Sequence, residues 1–501
     1  MKTLAILAGV MGILFILMLV FPSDGITIGA FKMEFPSANE FFNIKAHEEL
    51  NQLKDLNELF DSTVVLSEID STIIKHKLDS LHQYRKTIQI TDKAKPALHR
   101  FFDALDNAKN QKVRIMHYGD SQIEADRITS YFRNELQTKF GGYGTGLFSV
   151  IDVAPKMSVN ILYSENWKRY SGFGQKEPEI THNKYGALIS FCRYAPVPTS
   201  PIITDTTTHT AWIKLLKPRA SYGRTKSYQQ VNVFVTNSHT AIHYKIEADG
   251  VVVNEGTIGA NTPFQVLKAN FNTTPEEITI SFDGKDSPNV LALSLEGNTG
   301  IVADNIALRG SSGTVFTQLD QTLLSNMFTH LNPSLIILEF GGNVMPYIKD
   351  ENAAIEYGNW FKSHINLLKR HNPNAAFIVI GPGDMSIKDK TEYITYPNLE
   401  FVRDALKDAA LSTGCMFWDM YEVMGGKNSM PQWVNAEPSL AASDYIHFSP
   451  LGAKKIAEEF YNNLMNMYNK YKGKDSPTPP KEGLLNGENL NSQTQNNTSE
   501  N

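Results

Sequence analysis

Cysteine is nearly absent from these 501 residues: only Cys192 and Cys415 occur, far apart and in unlike surroundings. Neither a disulfide framework nor a cysteine-based metal site is indicated. A strong charge of either sign is missing too, since 47 Lys+Arg stand against 53 Asp+Glu for a net −6. No block of basic residues interleaved with aromatics occurs, so nucleic acid is not expected as a partner. Phosphate-binding loops are also wanting. The one glycine-rich run, Gly141-Gly142-Tyr143-Gly144-Thr145-Gly146, lacks the Gly-Lys-Ser/Thr ending and the dinucleotide spacing, and reads as a flexible loop near a site.

Long apolar runs are scarce, with one exception at the N-terminus. From Leu4 to Phe21 no charge occurs, Lys2 precedes the run and Pro22-Ser23-Asp24-Gly25 follows it. As a helix this run spans ~27 Å at ~1.5 Å per residue, close to the ~30 Å hydrocarbon thickness. No Ala-x-Ala-like cleavage site follows. Residues 1–25 therefore read as an uncleaved signal anchor with the N-terminus inside, a cleaved signal peptide being the alternative; either exports the remainder. Residues 26–96 read as a helical stalk, with Leu50, Leu53, Leu56, Leu59 and Phe60 at helical spacing. At the other end, residues 473–501 are rich in Pro, Asn, Gln and Ser, a composition expected to be disordered.

The body between these ends has two textures. In 97–155 and 301–472 apolar strands alternate with amphipathic helices. Strands are predicted at Val113–Ser121, Leu335–Phe340, Ala376–Ile380 and Met416–Trp418, and helices at Ala353–Arg370, Leu399–Ser412 and Pro450–Tyr471. This pattern predicts an α/β fold with a parallel sheet covered on both faces, whose ligand sits beyond the C-terminal strand ends. Ser121, Asn343 and Asp384 all follow such ends. In 156–300 short β-rich runs of alternating polarity, broken at Asp249-Gly250, Asn261-Thr262-Pro263 and Asp283-Gly284, predict a separate β-sandwich or jelly roll.

Two stretches carry chemistry. Ile115-Met116-His117-Tyr118-Gly119-Asp120-Ser121-Gln122 reads as a buried strand stopping at a polar turn, with helical composition from Gln122 to Lys139. Ser121 then falls on a strand-to-helix junction, where unpartnered backbone N–H groups would stabilise a negative charge. Asp444-Tyr445-Ile446-His447-Phe448-Ser449-Pro450 precedes the last helix, with Ser449 and Pro450 as cap and first-turn residue. A carboxylate three residues before a histidine can fold back onto Nδ1–H and leave Nε2 to take a proton from a serine.

Together these residues resemble the SGNH (GDSL-type) hydrolase family. Gly119-Asp120-Ser121 looks like its nucleophile block, Ser312-Gly313-Thr314 its glycine block, Gly342-Asn343 its asparagine block and Asp444…His447 its last block, all in the family's order. The resemblance implies a three-layer α/β/α, flavodoxin-like hydrolase domain. It implies Ser121 as nucleophile, His447 as general base, Asp444 as its orienting partner, and an oxyanion hole from the Ser121 and Gly313 N–H groups and the Asn343 amide. No metal or other cofactor is implied. Val344 stands where the family often has an acidic residue. The β-rich insert between the first two blocks, and the return through Leu291–Glu296 and Gly300–Ile306, look like the peptidoglycan O-acetylesterase branch, where a carbohydrate-binding-like module interrupts the hydrolase domain.

The expectation is a membrane-anchored, extracytoplasmic (periplasmic) serine esterase acting on an acetylated envelope polysaccharide, with Asp384 and Trp433 as candidate cleft residues. An O-acyltransferase with the same triad and a non-enzymatic glycan-binding protein are the alternatives. A lipase is disfavoured because no long apolar lid segment occurs outside the anchor. The polymer, the acyl group and the oligomeric state are left open by the sequence.

Overall fold

The computed structural model describes residues 26–28, 31–33, 83–200, 206–218 and 221–473. The chain divides into two units, Met1–Ser80 and Leu81–Asn501. Of the first, the description covers two short antiparallel strands, Ile26–Ile28 and Phe31–Met33. The expected signal anchor, nearly all of the expected stalk helix and the tail from residue 474 lie outside the described residues. Among the described residues no helix is long and apolar enough to cross a membrane.

The second unit is built on a five-stranded, wholly parallel sheet. Its order is Gly300–Ala307, Lys112–Gly119, Pro333–Glu339, Ala376–Ile380, Met416–Trp418. Side-chain alternation along Lys112–Gly119 explains why both faces must be covered. Val113 and Ile115 point into one apolar cluster, and Met116 and Tyr118 into the other. Helices Lys95–Asp106, Thr129–Phe140 and Pro450–Tyr471 close the first face with Phe101, Phe132 and Phe460. Helices Gln321–Leu331, Glu351–His371 and Leu399–Ser412 close the second with Phe328, Phe361 and Leu406. The result is a three-layer α/β/α sandwich.

The β-rich stretch forms two antiparallel sheets facing each other across a core of Ile213, Val233, Ile280 and Leu293. One sheet has the order Val251–Ile258, Ile242–Ala248, Glu277–Gly284, His209–Leu216, Asn160–Tyr163. The other runs Gln265–Asn270, Gln230–Thr236, Asn289–Glu296, Ser190–Arg193, Lys168–Ser171. A further strand, Gly146–Phe148, pairs with Asn289–Glu296, so this sheet begins before the residue 156 boundary expected for the insert. Alternating polarity fails at the centre of the second sheet. Gln230–Thr236 and Asn289–Glu296 are buried at every position. Val233 faces the sandwich core, whereas Phe234 faces the hydrolase side and meets His330 edge-on at 5.6 Å.

A dry ionic seam runs along this contact. Arg114 Nη1 donates to both Asp304 oxygens at 2.7 and 2.8 Å, and Nη2 pairs with Glu296, which also takes Lys112 Nζ at 2.5 Å. Leu147 N–H donates to Asp304 Oδ1 at 2.8 Å. The glycine run is part of the seam and not a flexible loop. Gly142 and Gly144 have φ of +112° and +85°, and a Cβ on either would run into the backbone of Ile301 or Leu295. It does not border the site described next.

Candidate active site

The sheet delivers three loops to one place. The nucleophile strand ends at Gly119, the Pro333–Glu339 strand runs into Gly341–Asn343, and the loop before the last helix brings Asp444 and His447 across from the far end of the chain. Ser121 Oγ lies 2.8 Å from His447 Nε2, and His447 Nδ1 lies 2.7 Å from Asp444 Oδ2. Asp444 Oδ1 accepts from the Ile446 and His447 N–H groups at 2.9 and 3.0 Å, which fixes the carboxylate against its own loop. Partial burial pulls this carboxyl upward, but the His447 and backbone hydrogen bonds outweigh it and hold it below the usual aspartate range. The serine, histidine and aspartate picked out in the sequence therefore form one continuous hydrogen-bonded chain.

The structure corrects the expected surroundings of Ser121. No regular helix starts there. Residues Ser121–Asp126 form a 3-10 turn in which Asp120 Oδ1 accepts from Gln122 N–H at 2.9 Å. Ala125 and Asp126 then turn left-handed at φ 53° and 65°, and the regular helix begins only at Thr129. Asp126 is held in that conformation by Arg133, whose Nη1 and Nη2 donate to it at 2.6 and 3.0 Å. Seven residues, Gln122 to Ile128, thus stand between the nucleophile and the helix whose backbone N–H groups were expected to serve it.

The expected oxyanion donors are placed differently from one another. Asn343 borders the Ser121 pocket, and its Nδ2 donates to Asp120 Oδ2 at 3.0 Å and to the Ser311 carbonyl at 3.2 Å, which uses both amide hydrogens. Gly313 does not border the pocket. Its N–H donates to Ser311 Oγ at 3.1 Å, and its φ of +79° packs it so closely that a Cβ would stand 2.7 Å from Phe340 and Phe361. In this structure Gly313 serves packing.

Neither candidate cleft residue reaches the cleft. Asp384 is buried, with Oδ1 accepting from Thr395 Oγ1 at 2.7 Å and Oδ2 from Met430 N–H at 2.7 Å, so it pins two loops. Trp433 is a core anchor: its Nε1 donates to the Met424 carbonyl at 3.0 Å and its ring packs on Phe448 at 5.5 Å.

The pocket beside Ser121 has a volume of about 280 Å³. Met385, Met420 and Ile446 give it an apolar wall, and Tyr347 and Tyr396 stand among its aromatic residues. Asp120 and Glu339 border it as well. Glu339 is one of the residues the sequence reading passed over, along with His117, Gln122 and Tyr393. Glu339 Oε2 and His117 Nε2 are 3.0 Å apart beneath the site. Gln122 Nε2 donates to the Ile446 carbonyl at 2.6 Å, tying the serine turn to the histidine loop. Tyr393, on the hairpin of Ser386–Asp389 and Glu392–Thr395, stacks on Tyr445 with centroids 3.6 Å apart. A signal for Glu339 and His117 existed, because ionisable residues inside otherwise apolar strands are seldom buried without a partner.

A solved structure of a peptidoglycan O-acetylesterase covers 76% of this chain and 99% of its own, at 18% identity and a TM-score of 0.58. A family two carbohydrate esterase from Clostridium thermocellum in complex with cellohexaose is 11% identical, covering 62% of this chain and 99% of its own with a TM-score of 0.25. A putative GDSL-like lipase from Bacteroides ovatus, also 11% identical, covers 63% and 98% with a TM-score of 0.23. At these identities the likeness is one of fold. The fold is that of an SGNH-type hydrolase. A family model for the E2 domain of amyloid precursor protein matches residues 39–121, too little of the chain to assign it to that family. No curated protein matches.

Proposed function

We propose that this protein is a serine esterase that removes O-acetyl groups from a cell-envelope polysaccharide, peptidoglycan being favoured. The carrying observation is the Ser121–His447–Asp444 chain with contacts of 2.8 and 2.7 Å. His447 Nε2 takes the Ser121 proton as Oγ attacks the acetyl carbonyl, and Asp444 holds the ring in the tautomer that permits this. The tetrahedral oxyanion is bound by the Ser121 N–H and by Asn343 Nδ2, which exchanges one of its present acceptors for it. His447 returns the proton to the departing sugar oxygen, leaving acetyl-Ser121. A water deprotonated by the same nitrogen then releases acetate.

The half-open position of His447 and Asp444, with side chains 31% and 47% exposed, gives water access to the acyl-enzyme as the acceptor. The likeness of the fold to that of a solved peptidoglycan O-acetylesterase supports an acetylated polymer as substrate. The charge-free Leu4–Phe21 run supports export and anchoring, with the catalytic unit on the extracytoplasmic side.

Acetate release from O-acetylated peptidoglycan, measured beside other acetylated glycans, tests the reading. Release from peptidoglycan that is abolished by Ser121→Ala is the expected result. Transfer of acetyl to an added glycan acceptor in place of release would make the protein an acyltransferase. A Ser121 that a fluorophosphonate fails to label, with glycan binding intact, would make it a binding protein.

A further inference from the structure

The Ser121 pocket carries two carboxyls that the triad does not use. Asp120 precedes the nucleophile, and Glu339 ends the adjacent parallel strand in register with Gly119. They are 5% and 2% exposed. Both Asp120 oxygens accept hydrogen bonds, Oδ1 from Gln122 N–H and Oδ2 from the Asn343 amide. Glu339 Oε2 is paired with His117, but Oε1 has no donor. A buried carboxylate oxygen without a donor is costly, and two buried neighbouring carboxyls resist being charged together. A proton on Asp120 relieves the second condition, because it leaves one charge beneath the pocket.

The remaining charged groups around Asp120 do not offset this. Glu124, on the turn after Ser121, is clamped by Arg309 at 2.5 and 2.6 Å. Arg127 divides its field among Glu124, Asp444 and Asp120. The Tyr357 hydroxyl donates to the Ser312 carbonyl. The triad's His447 and Asp444 pair with each other. Burial, reinforced by the charges of Glu339 and Glu124, outweighs the Gln122 and Asn343 hydrogen bonds and pushes Asp120 up to about 7.

The consequence falls on Asn343. Its two amide hydrogens are taken by Asp120 and Ser311, so an oxyanion must displace one of them. An ionised Asp120 would grip the amide with a charge-assisted bond, roughly twice as strong as a neutral one, and would place a second negative charge beside the oxyanion. We propose that Asp120 is a positioning residue that works in its neutral form, holding the Asn343 amide at the pocket and yielding it to the oxyanion. The proposal rests on the serine-esterase reading of Ser121 and Asn343.

The test is the pH profile of kcat for 4-nitrophenyl acetate with the full chain. In the wild type kcat should fall as pH rises through about 7, where Asp120 loses its proton. Asp120→Asn, permanently neutral, should keep the rise at low pH and lose that fall. Glu339→Gln removes the neighbouring charge, lets Asp120 ionise earlier and should move the fall to lower pH. Infrared difference spectra at neutral pH should show a carboxylic-acid C=O band that Asp120→Asn abolishes, a readout independent of turnover. A fall that persists unmoved in both variants, or a missing band, overturns the proposal while leaving the esterase intact. Hydrolysis that survives Ser121→Ala overturns the esterase reading instead, and the infrared band still decides the state of Asp120.

Discussion

Two ionic clusters in this protein join residues distant in sequence, and they do opposite things. Arg114 and Asp304, 190 positions apart, meet at the seam between the parallel sheet and the β-sandwich. Ser121 and His447, 326 positions apart, meet at the mouth of a pocket. At the seam the charges are almost dry. Burial alone would raise Glu296, but Arg114 and Lys112 outweigh it and bring it down to about 2. At the pocket His447 and Asp444 keep contact with water, and backbone N–H groups hold the carboxylate in place of a second cation. Desolvation, more than the residue types, separates a fixed brace from a relay that moves protons.

The comparison breaks first at the relay. Ser121→Ala should lower turnover by ~10⁴–10⁶-fold, about 5–8 kcal/mol of transition-state stabilisation, while the thermal midpoint stays put. Calorimetry beside the acetate assay measures both; a large loss of stability would mean that the serine braces the fold. Arg114→Ala should do the reverse. It leaves buried Asp304 without a cation and Glu296 with Lys112 alone, and should cost ~3–5 kcal/mol in urea unfolding, with fluorophosphonate labelling per folded molecule unchanged. The seam also sets a pH window. Since the folded value of Glu296 lies below the unfolded one, its contribution is fully present above the ordinary glutamate range of ~4.3 and is lost as pH falls through about 2. Glu296→Gln should flatten the acid-unfolding curve across that window.

Much of this arrangement was legible in the residues. Ala376–Ile380, Met416–Trp418, Leu399–Ser412 and Pro450–Tyr471 fall where period and capping place them. Their apolar faces are determined locally, and Ser449 does cap the last helix, accepting from Gly452 N–H at 3.2 Å. What could not be read depends on long-range contact. Nothing local to Gln230–Thr236 says that both its faces are covered, because the second cover is a helix some ninety residues on. Short strands such as Lys168–Ser171 and Ser190–Arg193 gain their definition from partners. At the site, the order of motifs indicated Ser121, Asp444 and His447. It could not indicate that Gly313 turns its N–H to Ser311, or that Asp384 is spent on Thr395 and Met430.

The smallest expected effect tests how firmly the wet cluster is held. Tyr445 sits at φ +58° between Asp444 and His447, a conformation that costs energy for a bulky residue. Two contacts from one hairpin offset that cost: Ser386 N–H donates to the Tyr445 carbonyl at 2.9 Å, and the Tyr393 ring lies parallel to the Tyr445 ring at 4°. Tyr393→Ala removes the stack and leaves the hydrogen bond, so it should cost ~0.5–1.5 kcal/mol, locally. The loop retains its Gln122 tie and the bond from Ala442 N–H to the His447 carbonyl at 2.7 Å, which limits the expected fall in kcat to a few-fold. Tyr393→Phe keeps the stack and should match the wild type. Hydrogen exchange at the His447 amide, faster in Tyr393→Ala alone, would locate the loss in the loop. If kcat fell as far as it does in Ser121→Ala, the hairpin would be part of the relay itself, and the brace at this pocket would no longer be separable from its chemistry.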